Sequence, residues 1–547
     1  MAFRYHIKHG PNIKEELKKT GLDYTYYEIS DQDGVLVLPI IDSSRFKKLL
    51  EIKDFRILEA SMPLNELGVI NKDINNGVVA TEEIGANFLK HNKNISITGK
   101  GVLIAIIDSG IDYLHEDFIY PDNTSKIVSI WDQTIDKTPP EGFIIGTEIN
   151  RNEINEAIKV KDKSLTVDET GHGTMISGIC AGLGNINKDY EGVAPDSELI
   201  IVKLKKIGKY YDSTFGEAGV RYAYKKAIEL NKPLVISLSL GSNSLGGTTK
   251  QILKREPRFR DGICIVSGIG NEGNTQTHIR GKVGAVGEES EIELEIFDDE
   301  DFLEINIWVK KPDKLTASIL SPGGELSKTI KLSTYNEASG LFDVESTWYS
   351  ITYIYPTEYL GQEQIIILFK NITKGIWKIK LKGEYIINGI YDAYLPNRAT
   401  INPGTKFRNA SSSSTINYPA TYDEVIVAGA YNLVENSMWP SSSRGPSINN
   451  LLKPDIIAPG VNIISTYPDN KYATITGTSA SAAYLSGSIA LYLQYTLVEK
   501  YYPTKGFTKM IRTYIQSGAK RNSNIKYPND ISGYGKLDIV GAFNQLK

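Results

Sequence analysis

Gly477-Thr478-Ser479-Ala480-Ser481-Ala482-Ala483 decides how the rest of this chain is read. A Gly and a Thr lead into a serine, and small residues follow it. A long apolar segment then runs through Tyr484, Leu485, Ile489, Leu491 and Leu493. Apolar residues at that spacing predict a buried helix. Ser479 is therefore expected at a helix N-terminus, in the positive field of the helix dipole. Its small neighbours leave the hydroxyl within reach of another chain, which suits a nucleophile. By itself the stretch is better read as a serine capping a core helix. The nucleophile reading needs a base and an orienting acid elsewhere.

Both are present upstream. Asp168-Glu169-Thr170-Gly171-His172-Gly173-Thr174 precedes a small-residue run, Ser177-Gly178-Ile179-Cys180-Ala181-Gly182. Earlier still, Gly101-Val102-Leu103-Ile104-Ala105-Ile106-Ile107 runs into Asp108-Ser109-Gly110-Ile111-Asp112. That nearly continuous apolar run predicts a buried parallel strand with a carboxylate at its C-terminal end. In open α/β sheets, chemistry gathers at those ends. Imidazole has its ordinary pKa closest to neutrality, so His172 is the side chain able to take the Ser479 proton. Asp108 would hold the imidazole tautomer and support its charged form.

These blocks resemble the active-site signatures of the subtilisin-like serine proteases, and the order acid, base, serine is that of subtilisin. A fourth block, Ser267-Gly268-Ile269-Gly270-Asn271-Glu272-Gly273-Asn274, is similar to the family segment that carries the oxyanion asparagine. The resemblance covers residues 80–280 and 405–547. It implies Asp108, His172 and Ser479 as catalytic residues, with Asn271 and the Ser479 amide donating to the oxyanion. It implies that Ser239-Leu240-Gly241 pairs with the substrate backbone and that Gly268 and Gly270 wall the pocket for the residue before the scissile bond. Many subtilisins carry Met after the serine and Pro three residues later. Ala480 and Ala483 stand there instead, a change expected to affect packing more than chemistry.

The 547 residues are too many for one ordinary domain. A formal net charge of −4 implies no basic face for nucleic acid. Cys180 and Cys264 are the only cysteines, and each lies in an apolar or small-residue run. Buried free thiols are expected rather than a disulfide, and a zinc site built mainly on cysteines is excluded. Asp112, Glu116 and Asp117 have no spacing specific enough to assign a metal, and no cofactor is expected. The start, Met-Ala-Phe-Arg-Tyr-His-Ile-Lys-His-Gly, has no apolar h-region, and no run approaches a membrane span. A protein made and kept inside a cell is expected.

Four segments follow from the patterning. Residues 1–78 predict a small α+β unit, with helices at Ile13–Lys19 and Ser43–Leu50 and strands at Gly34–Ile40 and Phe55–Ala60. It resembles the family's propeptide, which blocks the active site until cut. Residues 79–280 alternate strand and helix, which predicts a parallel sheet with helices on both faces. A polar insertion is expected at Pro121–Val167 and helical spacing at Glu82–Leu89. Residues 281–404 alternate strictly, as in Glu291-Ile292-Glu293-Leu294-Glu295-Ile296, which predicts an inserted antiparallel sandwich of jelly-roll type. Residues 405–547 resume the protease pattern.

This layout is most similar to the Csp germination proteases of clostridial spores. The resemblance implies location in the spore and a serine endopeptidase that activates the proform of a cortex-lytic enzyme. Its partners would be that pro-enzyme and the chain's own propeptide. The alternative is a catalytically silent Csp-like regulator that senses germination signals. A single self-cleavage is expected near Ile74–Val79, because Asp73-Ile74-Asn75-Asn76-Gly77-Val78 is mostly polar and poor in helix formers.

Overall fold

The computed structural model describes residues 3–39, 48–49, 51–92, 94–243, 261–357, 361–448, 450–501 and 506–546. The second helix expected at Ser43–Leu50 lies largely outside them.

The central sheet is built from near-continuous apolar runs, which can be buried only if both faces are covered. Its parallel strands run in the order Val425–Asn432, Ile263–Gly268, Leu234–Leu238, Leu103–Asp108, Glu198–Lys203 and Ile127–Asp132. The Asp108 strand is therefore central. Its alternation splits the core: Ile104 and Ile106 pack on one face, Leu103, Ala105 and Ile107 on the other. The first face carries the helices His172–Ala181 and Thr478–Leu493, and the second carries Ser213–Glu229. Both cysteines are buried free thiols, and burial pushes Cys264 up to about 12.

Two local readings change. The segment Pro121–Val167 is not merely a polar insertion. It holds the parallel strand Ile127–Asp132, an antiparallel strand Thr147–Asn150 and a helix Arg151–Val160. The helix carries a complete capping box between Asn150 and Glu153. The helical spacing of Glu82–Leu89 shortens to Ala86–Lys90, because Gly85 at φ 81° is left-handed and interrupts any longer helix.

The N-terminal unit has a four-stranded antiparallel sheet in the order Thr25–Ser30, Asp33–Leu38, Phe3–His9, Phe55–Ala60. Helix Ile13–Lys19 buries Ile13 and Leu17 against Ile7, Leu36 and Leu38. Ile29 and Val35 of the same sheet join the core beside helix Ser213–Glu229, so this unit sits on the protease-like body. A polar seam reinforces the contact. Asp33 bonds His6 Nε2 at 2.5 Å and pairs with Arg221, while Ser61 Oγ donates to Asp212 at 2.7 Å.

Residues 278–407 carry two antiparallel sheets, one of six strands and one of four that includes Glu289–Ile296 and Gly375–Tyr385. Ile292, Leu294, Ile379 and Trp377 face a shared core with Ile305, Ile307 and Ile367. The alternate positions face outward, where Glu291 pairs with Lys378 at 2.9 Å and Glu293 with Arg408 at 3.4 Å. No helix among the described residues is long and apolar enough to cross a membrane.

Candidate active site

Asp108 closes its strand with a buried carboxylate. Its Oδ1 accepts from the Ser109 amide and lies 2.7 Å from His172 Nδ1. His172 opens its helix behind Gly171, whose φ of 80° is a left-handed turn favouring glycine. Gly173 comes so close to Gly110 that a Cβ there would lie 2.2 Å from the Gly110 carbonyl oxygen. Asp168 clamps the two blocks. One oxygen accepts from Ser109 Oγ at 2.7 Å and Gly171 N at 2.9 Å; the other accepts from the amide and hydroxyl of Thr174 at 2.9 and 2.7 Å. The Gly-His-Gly-Thr stretch thus reaches Asp108 because small residues permit the approach and Asp168 holds it.

Burial opposes a charge on His172, but the Asp108 charge and hydrogen bond outweigh it. With Glu66 and Asp168 adding to the field, the imidazole is pushed up to about 9. His172 Nε2 is buried and has no hydrogen-bond partner among the described residues.

Ser479 is the second residue of helix Thr478–Leu493 and is fully buried. The predicted helix N-terminus is therefore found, but the hydroxyl is not bonded to His172. Its Oγ donates to the Leu67 carbonyl at 2.8 Å, and the Ser479 amide donates to the same oxygen at 3.1 Å. Asn271 stands beside them. Its Oδ1 accepts from the Thr478 amide at 3.1 Å and hydroxyl at 2.9 Å, which leaves the Nδ2 end of the amide to donate.

Leu67 belongs to a segment that crosses the cleft as an extended strand. Pro63–Glu66 pairs with Tyr210–Asp212 on one edge and with Leu240–Gly241 on the other, both antiparallel. The Leu67 amide donates to the Ser239 carbonyl at 3.1 Å. Beyond Gly68, Val69–Asn71 pairs with Lys471–Thr476. Such edge addition is how extended peptides are held by backbone hydrogen bonds. Ser239, Leu240 and Gly241 meet a peptide backbone here, and Gly241 also approaches the residue that carries the carbonyl. A Cβ on Gly241 would lie 2.9 Å from Leu67 Cδ2. Gly268 packs against the start of the Ser479 helix, where a Cβ on it would lie 2.7 Å from the Thr478 carbonyl oxygen. It is the close approach that seats the Ser479 helix. Gly270, at φ 114°, faces Asn417, which stands beside Gly241 at the Leu67 side chain.

Sequence reasoning missed Glu66, Leu67, Gly68, Thr170, Tyr211 and Asn417. Thr170 lies inside the His172 block, where it drew no attention, and the others stand in no motif that carries chemistry. The available signal was Leu64-Asn65-Glu66-Leu67-Gly68, a short extended-type run just after the last strand of the N-terminal sheet. Among the described residues no group of acids, histidines and cysteines could hold a metal ion. Asp117, for example, spends its carboxylate on Asn185 N, Ile186 N and Tyr472 OH.

A serine whose hydroxyl and amide share one carbonyl oxygen, beside a buried Asp–His pair on a parallel sheet, defines a serine-hydrolase type of site. The subtilase family model matches residues 99–291 and 397–535, and the chain belongs to this family of subtilisin-like serine peptidases. The gap between the matched stretches coincides with most of the two antiparallel sheets. The Clostridium perfringens CspB protease superimposes with a TM-score of 0.75 at 29% identity, covering 85% of this chain and 98% of that one. The PII-type proteinase of Lactococcus lactis subsp. cremoris is 25% identical over 83% of this chain and 26% of its own. A C5a peptidase of Streptococcus pyogenes is 25% identical over 72% of this chain and 35% of its own. The chain thus spans about a quarter to a third of the length of these curated relatives.

Proposed function

We propose that this chain is a serine endopeptidase using Asp108, His172 and Ser479, and that its first substrate is its own Leu67–Gly68 bond. One observation carries the reading: the Leu67 carbonyl oxygen is bonded by both the amide and the hydroxyl of Ser479. In the reaction, Ser479 Oγ attacks the Leu67 carbonyl carbon while its proton passes to Nε2 of His172, which must be in its neutral form to act as the base. The oxyanion is met by the Ser479 amide and Asn271 Nδ2. Collapse breaks the Leu67–Gly68 bond, and His172 returns the proton to the Gly68 amine. Water, deprotonated by His172, then hydrolyses the acyl-enzyme. Asp108 stabilises the imidazolium in both halves.

On this reading the propeptide ends at Leu67, within the expected 1–78 unit and before the Ile74–Val79 stretch. After cleavage it stays in the cleft as a non-covalent inhibitor, held by the seam around Asp33, Arg221 and Asp212. Likeness to the clostridial CspB protease supports a place in spores, with the proform of a cortex-lytic enzyme as substrate in trans. A silent regulatory role has one observation in its favour, the full burial of Ser479 under residues 67 and 68. Incubating the purified protein with spore pro-enzymes, then sequencing product N-termini, tests the first reading. A fluorophosphonate probe that never labels Ser479 would select the second.

A further inference from the structure

The groups that hold Glu66 point to a substrate preference that the triad does not require. Extended strands alternate their side chains, so Glu66 and Leu67 face opposite sides of the cleft strand. Leu67 turns toward Gly241 and Asn417, whereas Glu66 meets two hydroxyls. Thr170 Oγ1 donates to Glu66 Oε1 at 2.9 Å, and Tyr211 OH donates to the same oxygen at 3.0 Å. Glu66 has no close ion-pair partner among the described residues; the two hydroxyls are its hydrogen-bond partners, and its charge also favours the His172 imidazolium. Each is held from a different part of the body. Thr170 lies two residues before His172, and its oxygen also accepts the His172 amide at 3.2 Å. That leaves its proton for an outside acceptor. Tyr211 lies on the strand edge that pairs with Leu64. Its ring is buried, with Lys206 Nζ 4.6 Å from the centroid. Two fixed donors converging on one oxygen discriminate against a side chain that cannot accept.

We propose that Thr170 and Tyr211 make the cleft selective for an acidic side chain of glutamate length immediately before the residue at the scissile bond, so that protein substrates are cut after Leu-x-Glu-Leu sequences. This rests on the endopeptidase reading and on Leu67–Gly68 lying in substrate register. Leu64 supplies the other recognised side chain, buried among Leu204, Val220, Leu238, Leu240 and Tyr418. Hydrogen bonds to a charged acceptor are the strong class, and losing them here corresponds to roughly a 10- to 100-fold change.

The test uses the self-cleaved full-length protein, with peptide in excess so that it displaces the retained propeptide from the cleft, and three fluorogenic peptides, Leu-Asn-Glu-Leu, Leu-Asn-Gln-Leu and Leu-Asn-Ala-Leu, each with a leaving group after the last leucine. Wild type is expected to cut the Glu peptide with kcat/KM roughly 10- to 100-fold above the Ala peptide, with the Gln peptide between them. Tyr211→Phe keeps the ring and removes one donor, so it should shrink the Glu-to-Ala ratio. Equal cleavage of all three peptides by wild type overturns the proposal. So does a Tyr211→Phe variant that lowers all three rates by the same factor, the mark of a merely structural tyrosine. Fluorophosphonate labelling of Ser479 runs alongside. Labelling without cleavage of any peptide refutes the selectivity alone, and loss of both together with an uncut Leu67–Gly68 bond refutes the endopeptidase reading beneath it.

Discussion

Replacing Gly68 by alanine should slow self-cleavage without unfolding the chain. Gly68 is not among the glycines with positive φ, so alanine meets no backbone penalty. The cost is contact. A Cβ at this position would lie 2.6 Å from Ser479 Oγ and 2.7 Å from Ile475 Cδ1. Ordinary carbon contacts are about 3.5–4.0 Å, so the scissile bond or the Ser479 helix must move by about 1 Å. The helix is buried along its length, which makes the extended segment the part that yields. A misplacement of about 1 Å at a reacting centre costs on the order of 100-fold in rate. The assay is a time course of freshly folded protein, with intact chain and fragments measured by mass. Wild type should yield an N-terminal fragment ending at Leu67 and a second chain beginning at Gly68. The alanine variant should yield the same fragments about 100 times more slowly. An unchanged rate would refute the contact argument. A wild-type first fragment ending within Ile74–Val79 would refute the assignment of the bond.

Ser479→Ala should remain one intact chain by mass under conditions in which wild type separates into two co-purifying fragments; two fragments in both would mean another protease makes the cut. Asn271→Ala removes one oxyanion donor and should slow cleavage roughly 10²–10³-fold, read from the same time course, and a rate equal to wild type would sink its assignment. Asp33 contributes to stability in a pH-dependent way. Burial would raise its pKa, but the His6 hydrogen bond and Arg221 hold it down from 3.8 to about 2. A group with a lowered folded pKa contributes fully above its unfolded value and loses that contribution as pH falls through the folded one. At about 1.4 kcal/mol per pKa unit, roughly 2 kcal/mol is lost between pH 4 and pH 2. Denaturation midpoints of wild type and Asp33→Asn should therefore converge over that window; parallel curves would contradict it.

Much of the fold was legible because strand burial writes itself into local composition. A run such as Leu103–Asp108, apolar at every position but the last, short and rich in isoleucine, reads as a strand covered on both faces. The strict alternation of Glu289–Ile296 can only be a strand with one wet face. Helix Ile13–Lys19 and strand Phe55–Ala60 matched their expected spans, the strand expected at Gly34–Ile40 runs over Asp33–Leu38, and strands Phe3–His9 and Thr25–Ser30 were not anticipated. Ile127–Asp132 escaped notice because charged and polar neighbours surround a six-residue run, and only its register with Glu198–Lys203 makes it part of the sheet.

At the site, the sequence alone determined which chemistry is available. Asp108, His172, Ser479 and Asn271 stand in motifs whose small residues exist to let them approach one another. It could not determine which segment of the chain lies against Ser479. Leu67 and Gly68 look like ordinary residues of a connecting segment. Their position against Ser479 arises from pairing with Tyr210–Asp212, Leu240–Gly241 and Lys471–Thr476, strands far away along the chain. Glycine showed the same division. The family resemblance set Gly241 against a substrate backbone and Gly268 in a pocket wall, yet only the tertiary structure brings one close to the Leu67 side chain and the other close to the Thr478 backbone. Residue type sets what a position can do, whereas the partner it does it with is set by contacts that no local pattern encodes.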